Sequence, residues 1–410
     1  MNVQILPCRP TGVVPAPASK SFVHRLLLAA ALAESESRLT VTDTSADIEA
    51  TVRCLRALGV LIQQDGDLWT VKPPERWNRS VTLDCGESGS TLRFLLPLVS
   101  AQGIDAVFTG SGKLPQRPNE VLLSAMRTHG VAVDGGFPIR VSGTLQPGNY
   151  TLRGDVSSQY ATGLLFALVS LHAPSTLTLL PPVASARYLD ITVDVLRQFG
   201  ASITRNDCTY TIRPASLRGG AHFAEGDWSN GAALLACGFA VSGLRPDSLQ
   251  GDRAFLQILQ DAGAVLHTEN DAIRLDRSAL HFSSIDADPI PDLVPVLAAL
   301  AATASGDTHI CNASRLRLKE SDRLSSTEAL LQSLGADIRQ TDDGLWIRGK
   351  PALAGGKADS ANDHRIVMAA AVAAQKCLAP VIIEDAQAID KSFPNFFTLY
   401  NAHGGHAYVL

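Results

Sequence analysis

Arg317-Leu318-Lys319-Glu320-Ser321-Asp322-Arg323-Leu324 runs directly into a segment that ends Leu331-Gln332-Ser333-Leu334-Gly335, and the reading of that run decides the fold. Leu331 and Gly335 stand where a helix places its last apolar contact and its glycine cap, and a short β-like run follows. The signature recurs. Gly59, Gly130, Gly200, Gly263, Gly335 and Gly404 are separated by 71, 70, 63, 72 and 69 residues, and Leu55, Met126, Leu196, Leu259, Leu331 and Tyr400 stand four residues before them. Such a period predicts six copies of one unit.

Each copy also holds an earlier, more apolar segment long enough for a buried helix: His24 to Ala33, Thr91 to Ser100, Tyr160 to Leu171, Asn230 to Val241, Asp292 to Ala304 and His364 to Gln375. Val/Ile/Thr/Leu runs such as Thr176 to Leu180 and Val381 to Glu384 read as strands. The unit therefore joins two helices to several strands, an α/β class. Copies one to three cover residues 14–225 and copies four to six residues 226–410, so the chain reads as two similar halves, with Pro15-Ala16-Pro17 and Arg218 to Gly226 as candidate hinges.

A length of 410 residues suits two domains of about 200 residues. Apolar residues make up 46% of the chain and mean hydropathy is +0.10, yet no uninterrupted apolar stretch reaches the roughly 18 residues of a membrane span. A soluble globular protein is expected. The start, Met1-Asn2-Val3-Gln4-Ile5-Leu6-Pro7, lacks a basic region followed by an apolar core, so no export signal is read. Seven scattered cysteines fit reduced thiols in a cytoplasm better than disulfides or a zinc site. The net charge of −5 argues against a nucleic-acid binder and leaves room for a basic cleft on an acidic body.

Chemistry-bearing residues recur just before or within the first turn of helices. In Arg317–Leu324, Lys319 and Arg323 would lie four apart on one helical face, with Glu320 and Asp322 beside them. Like charges at that spacing repel unless something negative intervenes. Two readings fit: a solvated helix start with acids at the positive dipole end, or cations that clamp an anion while Glu320 moves a proton. Copy one gives Ser19-Lys20-Ser21 with Arg25. Copy two gives Gly86-Glu87-Ser88-Gly89-Ser90 with Arg93, whose small residues let backbone N–H groups approach an anion, and then Arg117-Pro118 opening a second helix. Copy three gives Ser157-Ser158-Gln159, then Ser185 and Tyr188. Copy five gives Pro291-Asp292, with Asp292 either a helix cap or a base. Copy six gives Asn362-Asp363-His364-Arg365 and Lys391. Taken singly, most of these residues are caps. Taken together, eight cations (Lys20, Arg25, Arg93, Arg117, Lys319, Arg323, Arg365, Lys391) follow the repeat, which independent surface charges have no reason to do. Such a cluster predicts a site for at least two anionic groups, with Asp292 and Glu320 free for proton transfer.

At these residues the sequence resembles the 5-enolpyruvylshikimate-3-phosphate (EPSP) synthase family nearly end to end. Lys319-Glu320-Ser321-Asp322-Arg323 followed by Asp363-His364-Arg365 is the most specific part of the match. The resemblance implies a two-domain inside-out α/β barrel, three repeats per domain, with residues 1–13 completing the 226–410 domain and the active site in the interdomain cleft. It implies transfer of the enolpyruvyl group of phosphoenolpyruvate to the 5-hydroxyl of shikimate 3-phosphate, with release of phosphate. By the same carry-over, shikimate 3-phosphate contacts Lys20, Ser21, Arg25, Ser157, Ser158, Gln159, Ser185, Asp292 and Lys319. Phosphoenolpyruvate meets Lys20, Gly89, Arg117, Gln159, Arg323, Arg365 and Lys391. Asp292 is cast as the base toward the hydroxyl and Glu320 as the acid toward the methylene, with Lys20 assisting. No metal, organic cofactor, nucleic acid or membrane is implied, and a cytoplasmic monomer is expected.

The chain departs from the family at Glu87, where Asn is usual, at Phe94, where Pro or Leu is common, at Arg315, where Asn often stands, and at Pro17-Ala18-Ser19 in place of Pro-Gly-Ser or Pro-Gly-Asp. Two rivals stay open. UDP-N-acetylglucosamine enolpyruvyl transferases share the fold but carry Lys-Asn where Lys20-Ser21 stands and a reactive Cys in the loop that here reads Gly110 to Gln116. A catalytically inactive anion-binding homologue would keep the cations, and loss of Asp292 or Glu320 would favour it. Both acids are present.

Overall fold

Gly59, Gly130, Gly200, Gly263, Gly335 and Gly404 all adopt positive φ, from 87° to 101°, in the computed structural model, which describes residues 1–410. An L side chain is strained in that region. In five of the six the next residue's N–H returns to the carbonyl of the apolar residue four before the glycine: Val60 to Leu55, Ala201 to Leu196, Ala264 to Leu259, Ala336 to Leu331 and Gly405 to Tyr400. That bond satisfies a carbonyl the helix end would otherwise orphan, and turns the chain into the next strand.

Contacts divide the chain into two compact units, residues 18–224 and residues 1–17 with 225–410. The first unit holds α1 (Lys20–Leu32), α2 (Ala46–Ala57), α3 (Gly89–Ala101), α4 (Glu120–Arg127), α5 (Ser158–Val169) and α6 (Arg187–Gln198). The second holds α7 (Trp228–Cys237), α8 (Ala254–Asp261), α9 (Val294–Ala301), α10 (Arg323–Ser333), α11 (His364–Ala374) and α12 (Phe396–Ala402). No helix is long and apolar enough to cross a membrane.

Six four-stranded sheets share one topology, a parallel pair followed by two antiparallel neighbours. In one of them Asn149–Arg153 runs parallel to Ser175–Leu180, which pairs antiparallel with Thr209–Arg213, itself paired with Ser202–Asn206. Three sheets borrow a strand from far along the chain. Ala221–Phe223 pairs with Ser37–Thr40 in the first unit. Val13–Pro15 pairs with Ala240–Ser242 in the second, which puts residues 14–17 there rather than at the start of the first unit. Val3–Ile5 lies between Val381–Glu384 and Ala407–Val409.

The odd-numbered helices form the cores. All but the first two residues and Leu32 of α1 are buried, and every residue of α9 and α11 is. Beyond the polar and charged residues of their N-terminal halves they are apolar around their whole circumference, because they pack on sheets and on one another. In α5, Gly163 permits the closest approach. A Cβ there would run into the Arg93 carbonyl and come within 2.9 Å of Pro97 in α3. The even-numbered helices are two-faced and lie outside, with α6 burying Leu189, Ile191, Thr192, Val193, Val195 and Leu196.

Candidate active site

In the first unit, the N-terminal ends of α1, α2, α3 and α5 supply the side chains. Lys20 opens α1 and donates to Asp47 Oδ2 at 3.0 Å. Asp47 is near the start of α2, where Ser45 caps the helix by accepting from the Ile48 N–H. An acid in a first turn is ordinary dipole chemistry, so nothing in the sequence singled Asp47 out. Arg25, one turn into α1, is 3% exposed. Its Nε donates to Thr192 Oγ1 at 2.8 Å, Nη1 to the Ser21 carbonyl at 2.8 Å, and Nη2 to Thr162 Oγ1 and the Tyr188 carbonyl at 3.3 and 3.0 Å. Burial lowers this guanidinium to about 10, still cationic at neutral pH. Phe94 explains itself here: its ring lies 5.2 Å from the Arg25 guanidinium and edge-on to His24. Burial, reinforced by Lys20 and Arg25, holds His24 well below its usual value and therefore neutral. Its Nδ1 pairs with Thr51, which pairs with Thr91.

Arg93 orients Gln159. Its Nη1 donates to Gln159 Oε1 at 2.6 Å, Nε to Asn119 Oδ1 at 3.0 Å and Nη2 to the Pro118 carbonyl at 3.0 Å, while Gln159 Nε2 donates to Ser90 at 3.0 Å. Arg117 and Gly89 are in contact, since a Cβ on Gly89 would stand 2.6 Å from Arg117 Nη1. Arg117-Pro118 does not open a helix as expected. Arg117 follows the 3-10 turn Leu114–Gln116, and α4 begins at Glu120 behind Asn119. Glu87 packs over Gly112, where a side chain would overlap its carboxylate. Ser157 caps α5 through the Gln159 N–H at 3.3 Å, and Ser158 follows as its first residue. Ser185, 5% exposed, is held at φ 53°. A buried non-glycine in that region costs of order 1–3 kcal/mol and marks functional segments.

In the second unit Arg323 is the centre. Fully buried at the first position of α10, its Nε donates to Asp363 Oδ2 at 2.8 Å, Nη2 to Glu320 Oε2 at 2.8 Å and Nη1 to Asp292 Oδ1. Lys319 Nζ lies 3.6 Å from the same Asp292 oxygen. Lys319 and Arg323 do not share a helical face. Lys319 ends the 3-10 turn Ser314–Leu318 in an extended conformation, and Asp322 caps α10. The two cations converge through Asp292 instead. Leu293, not Asp292, is the residue flanking α9, and the Asp292 carboxylate pairs with Arg323 and Lys319. Asp363 does cap α11, accepting from the Arg365 N–H, and also accepts from Ser321 at 3.0 Å. Arg365 donates to Asn230 Oδ1 at 3.1 Å and keeps a buried Nε without a partner. Lys391 Nζ donates to the Asn362 carbonyl at 2.6 Å. Arg315 is anchored on Asp288 at 3.2 Å.

Charge sets the acids apart. Burial raises the Asp292 carboxyl, but Lys319, Arg323 and Arg365 together outweigh it and hold it well below the usual carboxylate range. Burial likewise depresses Lys319, which Asp292 partly restores. Three carboxylates do the reverse to Arg323: burial disfavours its charge, and Asp363, Glu320 and Asp292 raise it well above its ordinary value.

Comparison with known proteins places the chain. The family model described as EPSP synthase (3-phosphoshikimate 1-carboxyvinyltransferase) matches residues 7–399. A protein of Clostridium novyi (strain NT) named 3-phosphoshikimate 1-carboxyvinyltransferase is 38% identical, covering 98% of both chains. One of the same name from Clostridium kluyveri is 39% identical over 98% of this chain and 97% of its own. A solved structure of EPSP synthase from Acinetobacter baumannii superposes with a TM-score of 0.81 at 26% identity, covering all of both chains. The chain belongs to the EPSP synthase family.

Proposed function

We propose that the chain transfers the enolpyruvyl group of phosphoenolpyruvate to the 5-hydroxyl of shikimate 3-phosphate and releases phosphate. The observation that carries this reading is the Arg323 guanidinium, which holds Asp292 and Glu320 in one hydrogen-bonded group beside Lys319. Two acids fixed on one cation can serve two proton transfers without drifting apart. Asp292 accepts the proton of the attacking hydroxyl and Glu320 delivers one to the methylene carbon of phosphoenolpyruvate, with Lys20 assisting. The hydroxyl oxygen bonds to the central carbon. The adduct then loses phosphate together with a proton from the new methyl group, which restores the double bond.

Cations hold Asp292 ionised and weakly basic in the free protein. Substrate phosphate and carboxylate groups, by pairing with Lys319 and Arg365, relax that pull and raise its basicity when the hydroxyl is in place. Shikimate 3-phosphate is assigned Lys20, Ser21, Arg25, Ser157, Ser158, Gln159, Ser185, Asp292 and Lys319. Phosphoenolpyruvate is assigned Lys20, Gly89, Arg117, Gln159, Arg323, Arg365 and Lys391. The residues assigned to each substrate include members of both cation sets. Each set of three four-stranded sheets with six helices is read as three copies of one unit in an inside-out barrel. Both cation sets lie on one chain, which supports a monomer, and seven free thiols support a reducing, cytoplasmic setting. The test is phosphate release from phosphoenolpyruvate with and without shikimate 3-phosphate. Release only with both substrates is expected, and turnover of a UDP-amino sugar instead, or no turnover, overturns the reading.

A further inference from the structure

Asp252 sits in the 3-10 turn Gly251–Arg253, packed against α7 and 3% exposed. Its carboxylate takes a hydrogen bond from the Ser229 hydroxyl. Asp292 and Asp363 share Arg323, whereas Asp252 has no ion pair. The groups that face it are Asp292, ahead of α9, Asp227 at the start of α7, and Arg365 of α11. Its neighbour Arg253 turns away to the Pro246 carbonyl. Nearby Glu225 is engaged by Ser248 and Gln250. A buried carboxyl with one hydroxyl donor and two acidic neighbours favours its neutral form. Burial above all, then Asp292, pushes it up to about 7, against the opposing pull of Ser229 and Arg365.

The position matters because of what Ser229 is attached to. The next residue, Asn230, accepts from Arg365 Nη1 and donates to Ser392, beside Lys391. A short polar path thus runs from Asp252 through Ser229 and its neighbour Asn230 to Arg365, one of the cations assigned to phosphoenolpyruvate, with a branch to Ser392. We propose that Asp252 is a positioning residue for that substrate: by accepting from Ser229 it seats the start of α7 that carries Asn230 and so Arg365, and a negative charge on it, facing Arg365, weakens this unit's hold on the anion. The inference rests on the functional reading above.

The experiment measures KM for phosphoenolpyruvate against pH at saturating shikimate 3-phosphate, for the wild type, Asp252→Asn and Ser229→Ala. The substrate's own phosphate titrates near pH 6, as phosphate monoesters do at about that value, and contributes equally to all three proteins. Above that shared term, the wild-type KM should climb through neutrality by roughly tenfold for each pH unit by which bound substrate shifts the acid. Asp252→Asn should stay near its low-pH value, because Asn can still accept from Ser229 and never ionises. Ser229→Ala removes the donor that favours the charged form, so its rise should move to higher pH. A wild-type rise in Asp252→Asn, or an equal loss at every pH, overturns the proposal. Melting gives a readout independent of turnover. A raised acid stabilises below its unfolded value of about 4 and loses that contribution as pH rises through its folded value. The wild type should therefore lose melting temperature relative to Asp252→Asn between about pH 4 and 7, and a constant difference counts against an ionising Asp252. Absence of phosphate release by the wild type would instead defeat the functional reading and leave the melting comparison standing.

Discussion

Asp292 and Glu320 both depend on Arg323, yet only their carboxylates are assigned proton transfer. Positioned proton transfer contributes about 10²- to 10⁴-fold, so Glu320→Gln and Asp292→Asn should each lower kcat by that order while phosphate release stays measurable. Near-normal turnover in either variant would return that residue to an ion-pairing role. Gly89 makes a different prediction. A Cβ there meets Arg117 at 2.6 Å from Nη1 and 3.0 Å from Cζ, so in Gly89→Ala the guanidinium must shift. Misplacing a binding group by about 1 Å can cost up to 10²-fold. Gly89→Ala should raise KM for phosphoenolpyruvate about tenfold or more, with a smaller change in kcat, and steady-state kinetics decide it. A KM within twofold of the wild type would show that Arg117 has room to move. At this scale the cations were legible because they followed a repeat that surface charges ignore. Asp47, Asn230 and Asp252 were not, since a first-turn acid, an amide inside an apolar helix and a lone acid after Gln250-Gly251 look the same whether or not they face a site. Their partners, Lys20, Arg365 and Ser229, lie 27, 135 and 23 residues away.

Elements bring those partners together, and α11 shows how. Its cap, Asp363, is fully buried and also accepts two bonds from Arg323 at the head of α10. One residue therefore starts a helix and seats the cation that holds both acids. Asp363→Ala removes the cap and leaves Arg323 short of a buried partner, a change that costs roughly 3–5 kcal/mol. Urea unfolding at neutral pH should show a loss of that order, and a loss below 1 kcal/mol would mean Glu320 and Asp292 suffice for Arg323. The sign of the pH dependence follows from Asp292. Its carboxyl is depressed in the fold, so its contribution is present above the unfolded value of about 4 and disappears as pH falls through the lower folded one. Asp292→Asn should accordingly lose less stability than the wild type on acidification below about pH 4. Unfolding at pH 7 and pH 3 checks this, and equal losses would count against it. The glycine ends of the helices could be read directly, because positive φ and a carbonyl-closing bond demand glycine. Helix starts were harder. Lys319 was expected on a helical face with Arg323, but Asp322 takes the cap and leaves Lys319 extended, a choice between two acids, Glu320 and Asp322, that spacing alone does not make. The strands Val13–Pro15 and Ala221–Phe223 were missed for another reason: their partners lie in sheets reached only by closing each unit on itself.

For the whole molecule, the division of charge is the fact with most consequence. Lys20, Arg25, Arg93 and Arg117 belong to the unit 18–224, and Lys319, Arg323, Arg365 and Lys391 to the other. Like charges on the two sets repel wherever the sets approach, over a range that salt limits to roughly 8–10 Å. Substrate anions reverse the sign, because each phosphate or carboxylate can take charge-assisted bonds from both sets at once. Binding should therefore draw the units together, expel water from the reacting atoms and couple the two substrates. Shikimate 3-phosphate, assigned to Arg25 and Lys319, should begin this alone and strengthen the binding of phosphoenolpyruvate analogues, since a first ligand that populates the drawn-together state leaves less for the second to do. Small-angle X-ray scattering with and without shikimate 3-phosphate at moderate salt measures the effect as a fall in radius of gyration. A second titration, of a phosphoenolpyruvate analogue in the presence and absence of shikimate 3-phosphate, should give affinities differing by about 5- to 150-fold, the usual range of such coupling. An unchanged radius at saturation with both ligands would mean that the anions bind without moving the units, and the coupling would then have to come from direct contact between the two substrates.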